Sequence, residues 1–236
     1  MQRLIKLNRY TAALALLLAA ALVLGLTFAL CAPRAFPVSA KRVYTLVIDP
    51  GHGGIDGGAV SAEGVRESDI NLAVAQRLNA LAGLFGVDSC LTRSDKGETP
   101  GNARDYSEHA ELVRRVEEIN SVPDGVLISI HQNCYPSPQP SGAQVLYSAY
   151  PGSERFGKLC HANLVSCLEP ENRRVAEPAP KKLYITANVK CPAILAECGF
   201  MSNPGDVERL CDAEYQTALA AVLLASYLQY ISGYRA

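Results

Sequence analysis

Five short runs rich in β-branched and apolar residues, at 43–48, 87–92, 126–130, 143–147 and 193–198, alternate with longer stretches of helical periodicity. No other feature of the chain narrows its fold as much. Each run is short and apolar enough to be a strand buried on one or both faces. Between the first two runs, Ile70, Val74, Leu78, Leu81 and Phe85 recur every three or four residues, while Asn71, Gln76 and Asn79 fall off that stripe. This pattern predicts an amphipathic helix over 68–85, and 106–120, 153–168 and 212–231 read the same way. Strands alternating with helices predict an α/β fold of three layers, a mostly parallel sheet with helices on both faces. In such sheets active sites gather at the carboxyl ends of the strands.

Ahead of this pattern, Arg3, Lys6 and Arg9 precede an uncharged, Leu- and Ala-rich run over 10–33, long enough to cross a bilayer as a helix. The basic flank should stay cytoplasmic, which places everything after Lys41 outside the membrane. The run exceeds the ~7–15 residues of a secretory signal core, which favours an uncleaved anchor, yet Val38-Ser39-Ala40 ahead of Lys41 offers a cleavage site. Cys31 is not read as lipidated, because Phe28-Ala29-Leu30 lacks the small residue expected beside such a cysteine. The expected organisation is therefore a membrane-directing segment and linker over 1–40, followed by one extracytoplasmic domain over 41–236, membrane-anchored or secreted. No repeat or low-complexity stretch divides that domain.

Four of the 22 basic residues precede Lys41 and no acidic residue does, which leaves 18 basic against 23 acidic residues over 41–236, a net charge of −5. Nucleic acid is excluded as a partner, because phosphate neutralisation needs a concentrated basic face. The eight cysteines form no CxxC pair, and most lie in apolar runs. They are expected as buried thiols rather than disulfides, since a domain of this size builds a core without covalent staples.

Only four histidines occur, and two stand where a strand gives way to a loop. His52 lies in Asp49-Pro50-Gly51-His52-Gly53-Gly54, and His131 ends the apolar run Leu127-Ile128-Ser129-Ile130. Glu67 opens the helical stretch after the Gly-rich loop, and Glu197 closes Ala193-Ile194-Leu195-Ala196. A carboxylate ending a hydrophobic strand is costly unless it is paired, protonated or near a metal. Two imidazoles and one carboxylate make a common catalytic zinc set with a position left open, and a second carboxylate outside that set can move protons. On residue types alone, both histidines could equally be hydrogen-bonded structural groups. Phosphate binding by the glycine loop is excluded, since it matches neither GxGxxG nor GxxxxGK[ST]. His109 and His161, in polar helical stretches, are expected at the surface.

Four segments, Asp49–Gly54, Arg66-Glu67-Ser68, Ser129-Ile130-His131-Gln132-Asn133 and Glu197-Cys198-Gly199-Phe200-Met201-Ser202-Asn203, occur in an order that resembles the zinc-dependent N-acetylmuramoyl-L-alanine amidases. The likeness spans about residues 43–231. It implies cleavage of the amide between the lactyl group of muramic acid and the stem peptide of peptidoglycan. By the same resemblance His52, Glu67 and His131 hold Zn²⁺, Glu197 is the general base and acid, and Asn133 contacts substrate or orients His131. Thr92-Arg93, residues 115–120 and Ser141-Gly142-Ala143 also match such amidases and are read as structural.

Cys134 and Cys198 depart from the family pattern, and both are expected as small buried fillers. A single catalytic domain behind a membrane-directing segment is most similar to the germination-specific amidases of spore-forming bacteria, some of which depend on an activator lipoprotein. The resemblance thus implies a role in the spore cortex, on the route to muramic lactam. A vegetative autolysin of the same chemistry and a wall-binding pseudoenzyme are the alternatives, and the complete set of His52, Glu67, His131 and Glu197 argues against the latter.

Overall fold

The computed structural model describes residues 43–96 and 107–233. The expected membrane-directing segment and Tyr106, the first residue of one expected helix, lie outside these. In chain order the elements are β1 (Thr45–Pro50), α1 (Glu67–Leu84), β2 (Ser89–Leu91), α2 (Glu108–Ser121), β3 (Gly125–Asn133), β4 (Gln144–Tyr147), α3 (Ser153–Leu168), β5 (Glu177–Pro178), α4 (Tyr184–Asn188), β6 (Ala193–Phe200), α5 (Pro204–Cys211) and α6 (Ala213–Ser232). The six strands form one sheet in the order β2-β1-β3-β6-β4-β5. All neighbouring pairs are parallel except β4 with β6. The expected mostly parallel three-layer fold is what the chain adopts.

Alternation along the strands divides the core between two faces. Leu46, Ile48, Val126, Ile128, Ile130, Ile194 and Ala196 face one way and pack with Ile70, Val74 and Leu78 of α1, Phe156 and Leu164 of α3, and Leu219, Leu223 and Tyr227 of α6. Val47, Leu127 and Ala193 face the other way, under Val116 and Ile119 of α2 and Ile185 of α4. Each fully buried Leu or Ile here contributes about 1.5–3 kcal/mol. Three helices, α2, α5 and α6, begin where a side chain satisfies a free amide group. Ser107 accepts from Ala110 N, Asn203 from Asp206 N with Pro204 following it, and Asp212 from Tyr215 N.

Several expectations need correction. Phe85, placed on the α1 stripe, is 66% exposed because the helix stops at Leu84. His161 is not a surface residue; it lies beside Cys160 on the inner side of α3, and its Nε2 bonds to the Arg174 carbonyl at 2.7 Å. The seven described cysteines are all free thiols, as expected, but only Cys160, Cys191 and Cys198 are buried. Cys134, Cys167 and Cys211 are exposed, on a loop and near helix ends, where a short apolar sequence context does not amount to a core position.

Candidate metal centre

Parallel pairing brings the chemistry to one edge of the sheet. Asp49 and Pro50, at the end of β1, lie opposite Ser129 and Ile130 of β3, while His131 of β3 lies opposite Glu197 of β6. Ile130 and Ala196 point into the larger core, so the pleat turns the next residues, His131 and Glu197, to the opposite face, on the side of α2 and α4. Beyond β1 the chain bends sharply through His52, whose φ of +60° is uncommon for a residue other than glycine. Two glycines are required beside it. A Cβ on Gly51 would lie 2.1 Å from the His131 ring, and one on Gly58, whose φ is +64°, would lie 2.6 Å from Glu67 Oε2.

His52, Glu67 and His131 offer one ligand atom each, all within 4.8 Å of one another, and they form the only such group of three or more among the described residues. Glu67 Oε1 lies 3.3 Å from His52 Nε2 and 3.1 Å from His131 Nδ1. Backbone N–H groups of Ala59 and Gln132 donate to the two Glu67 oxygens at 2.9 and 3.0 Å, which holds this buried carboxylate in place. Burial raises the pKa of Glu67, but His131 and His52 outweigh it and hold the group well below the usual carboxylate range. Burial lowers that of His52, yet hydrogen bonds and charge from Asp56 and Glu67 raise it to about 10 in the metal-free protein.

Asp56 was not anticipated from the sequence. Its Oδ2 lies 2.6 Å from His52 Nδ1, which fixes a proton there and leaves Nε2 for a ligand. An acid four residues after a loop histidine was the available signal. Asn71 was likewise unforeseen. Its Nδ2 donates to the Gly51 carbonyl and to Glu67 Oε1, and its Oδ1 accepts from Gln132.

Below the loop, two arginines hold its carbonyls. Arg93 donates to Pro50, Gly51 and Ser68 oxygens, and Arg115 to those of Pro50 and His52. Arg115 also pairs with the fully buried Asp49, to which Thr92 and Ser129 donate as well. The structural reading of Thr92, Arg93 and Arg115 therefore holds. Gly142 and Ala143 are structural too, since their N–H groups donate to the buried carboxylates of Asp206 and Glu169.

Glu197 stands in the same cavity of about 300 Å³ as His52, Glu67 and His131. Its Oε2 is buried and accepts no hydrogen bond. Burial chiefly raises its pKa, the imidazole of His131 lowers it and Glu67 raises it, with a net value of about 7. An orphaned buried carboxylate oxygen beside two imidazoles and a second carboxylate fits a catalytic zinc site, in which a proton-moving group stands outside the ligand set. Asn133 and Cys134 also line the cavity, so Cys134 is no buried filler, whereas Cys198 is one. Asn133 Oδ1 accepts from Cys134 N at 2.8 Å.

One edge of the α/β sheet thus carries a His-Glu-His cluster that could hold a metal ion, with the buried carboxylate of Glu197 in the same cavity, an arrangement suited to hydrolysis. Residues 46–226 match the N-acetylmuramoyl-L-alanine amidase family, to which the chain belongs. The germination-specific N-acetylmuramoyl-L-alanine amidase of Bacillus subtilis is 35% identical over 204 residues, 85% of this chain and 84% of that protein. The LytC amidase of the same organism is 30% identical over 189 residues, 79% of this chain but 35% of LytC. Among solved structures, the CwlD amidase of Clostridioides difficile in complex with the GerS lipoprotein superposes with a TM-score of 0.75 at 29% identity, covering 80% of this chain and 98% of that one. The chain is thus an N-acetylmuramoyl-L-alanine amidase acting on peptidoglycan.

Proposed function

We propose that the chain is a zinc amidase of the spore cortex, in which His52, Glu67 and His131 hold the metal, Glu197 moves the proton and Asn133 contacts substrate. The observation that carries the catalytic part is the pairing of a ready ligand cluster with a separate buried carboxylate whose Oε2 has no partner. Bound zinc supplies Lewis acidity toward the scissile carbonyl and the attacking water. Glu197, with a pKa near 7, accepts the proton of that water and returns it to the departing L-alanine amine. Asp56 and the amides of Ala59 and Gln132 keep the ligand side chains in place, so little reorganisation accompanies binding. Asn133 spends its carbonyl oxygen on Cys134 N and shares no hydrogen bond with His131, which leaves its amide N–H groups for substrate.

The cortex role is supported by the relatives. The germination-specific amidase is 35% identical to this chain over 204 residues, against 30% over 189 residues for LytC. On this reading the product enters the route to muramic lactam. Residues 1–40 direct the chain to the membrane and residues 41–236 form the extracytoplasmic catalytic domain. A lipoprotein activator is a reasonable partner, since the CwlD relative was solved with a lipoprotein bound. Metal analysis tests the centre. The chain should hold about one zinc, and His131→Ala should lose it because two ligands fall short of the usual set; full retention by that variant removes His131 from the site.

A further inference from the structure

Among the described residues, the cavity that holds the centre carries one cationic side chain outside it. Lys182 lines it from the segment entering α4, exposed and, among the described residues, with no ion pair or hydrogen bond of its own. The wall behind it is firmly placed. The Leu183 N–H bonds the Pro180 carbonyl, Thr186 Oγ1 donates to the Leu183 carbonyl, Tyr184 meets the His109 ring edge-on at 5.1 Å, and Asn120 Nδ2 donates to the Asn188 carbonyl at the far end of α4. The remaining ionisable groups of the described lining, apart from the thiol of Cys134 and the phenol of Tyr184, are carboxylates and imidazoles. Glu67 is engaged with the two histidines, Glu197 awaits a proton, and Glu108 is exposed on the first turn of α2 with no ion pair among the described residues.

This inference rests on the amidase reading. The glycan side of the scissile bond is neutral, because its sugars are N-acetylated and its lactyl carboxyl is consumed in the amide. The formal negative charges of the substrate therefore belong to the stem peptide. Glu108 repels a carboxylate, and among the described residues Lys182 is the one lining side chain outside the ligand cluster that attracts it. We infer that Lys182 is a specificity residue, pairing with a carboxylate of the stem peptide just beyond the L-alanine and so selecting acidic stems over amidated ones.

The test uses the full chain and two muropeptides that differ at one group, the second stem residue carrying either its free α-carboxylate or the carboxamide. Wild type should favour the carboxylate form. Lys182→Ala should lower kcat/KM on that form about fivefold, the upper end for a partly exposed pair, through KM rather than kcat. On the carboxamide form the same variant should stay within about twofold, and Lys182→Glu should disfavour the carboxylate form further. Lys181→Ala, a neighbouring lysine outside the cavity lining, should change neither. The preference should shrink in high salt. Equal losses on both substrates, or no loss on either, would overturn the role of Lys182. Cleavage of neither substrate by wild type, with or without the lipoprotein partner proposed above, would instead remove the amidase reading, and this inference with it.

Discussion

Replacing Arg115 by Met should cost far more than its distance from the reacting groups suggests. Its side chain is 3% exposed and lies 3.2 Å from Asp49, which is fully buried. Methionine fills similar volume but leaves Asp49 charged, buried and supported only by the hydroxyls of Thr92 and Ser129. Breaking a buried pair from one side costs about 3–5 kcal/mol, because the surviving charge stays desolvated. For a domain of this size that is a fall in midpoint of about 10 °C. The carbonyls of Pro50 and His52 lose a donor at the same time, so the loop carrying His52 should loosen and metal retention should weaken. Asp49→Asn in the same chain removes the stranded charge, and the double variant should recover at least about 1 kcal/mol relative to additivity. Acid provides a second check. Burial raises the pKa of Asp49, but Arg115, Thr92 and Ser129 bring it below its ordinary value. A depressed carboxylate stabilises the fold above its unfolded pKa of about 3.9 and loses that contribution as pH falls through the folded value. The gap between wild type and Arg115→Met should therefore narrow below about pH 4. Urea unfolding measures the cost, the coupling and the pH dependence, and a cost under about 1 kcal/mol or strict additivity with Asp49→Asn would refute the reasoning.

Glu197→Gln should keep its zinc and lose at least about a hundredfold in rate, since the amide cannot take the proton; near-normal turnover assigns that step elsewhere, and loss of metal recasts Glu197 as a ligand. Metal-free His52, with its pKa near 10, is protonated at neutral pH and must lose that proton to bind a metal. Apparent zinc affinity should accordingly rise about tenfold per pH unit between pH 6 and 9 in competition with a chelator, and a flat profile would show that no such proton is held on His52. Residues 41–236 should be soluble and active without the preceding segment, because both described core clusters are built from residues beyond it. Aggregation of that fragment, where the full chain stays dispersed in detergent, counts against the boundary.

The strands and long helices were legible because each repeats a simple burial pattern. Their ends moved by three residues at most, and the helix over 153–168 not at all, with capping groups such as Ser107 and Asp212 setting the starts of others. Two-residue β5 and five-residue α4 carry too few positions for a period to register, and both depend on tertiary partners. That His52, Glu67 and His131 come together was legible from strand-end histidines and the order of four short segments. What holds it was less so. Asp56 and Asn71 act through contacts that chain reversal creates, with the Asn71 bond to Gly51 spanning 20 residues. His161 misled because its ring is polar, yet one hydrogen bond to a carbonyl is enough to bury it. Cys134 misled in the opposite direction, since the end of β3 turns it outward onto the cavity rim.

Mass spectrometry of a peptidoglycan digest tests the central claim most directly. A metal flanked by one proton-moving carboxylate suits attack on a carbonyl, whereas glycoside hydrolysis usually employs two carboxyl groups across an oxocarbenium-like centre. The purified chain should release stem peptides that begin with a free L-alanine amine and leave saccharides ending in free lactyl carboxylate, with the glycan strands uncut. New reducing sugar ends, or cleavage between two stem residues, would contradict the account.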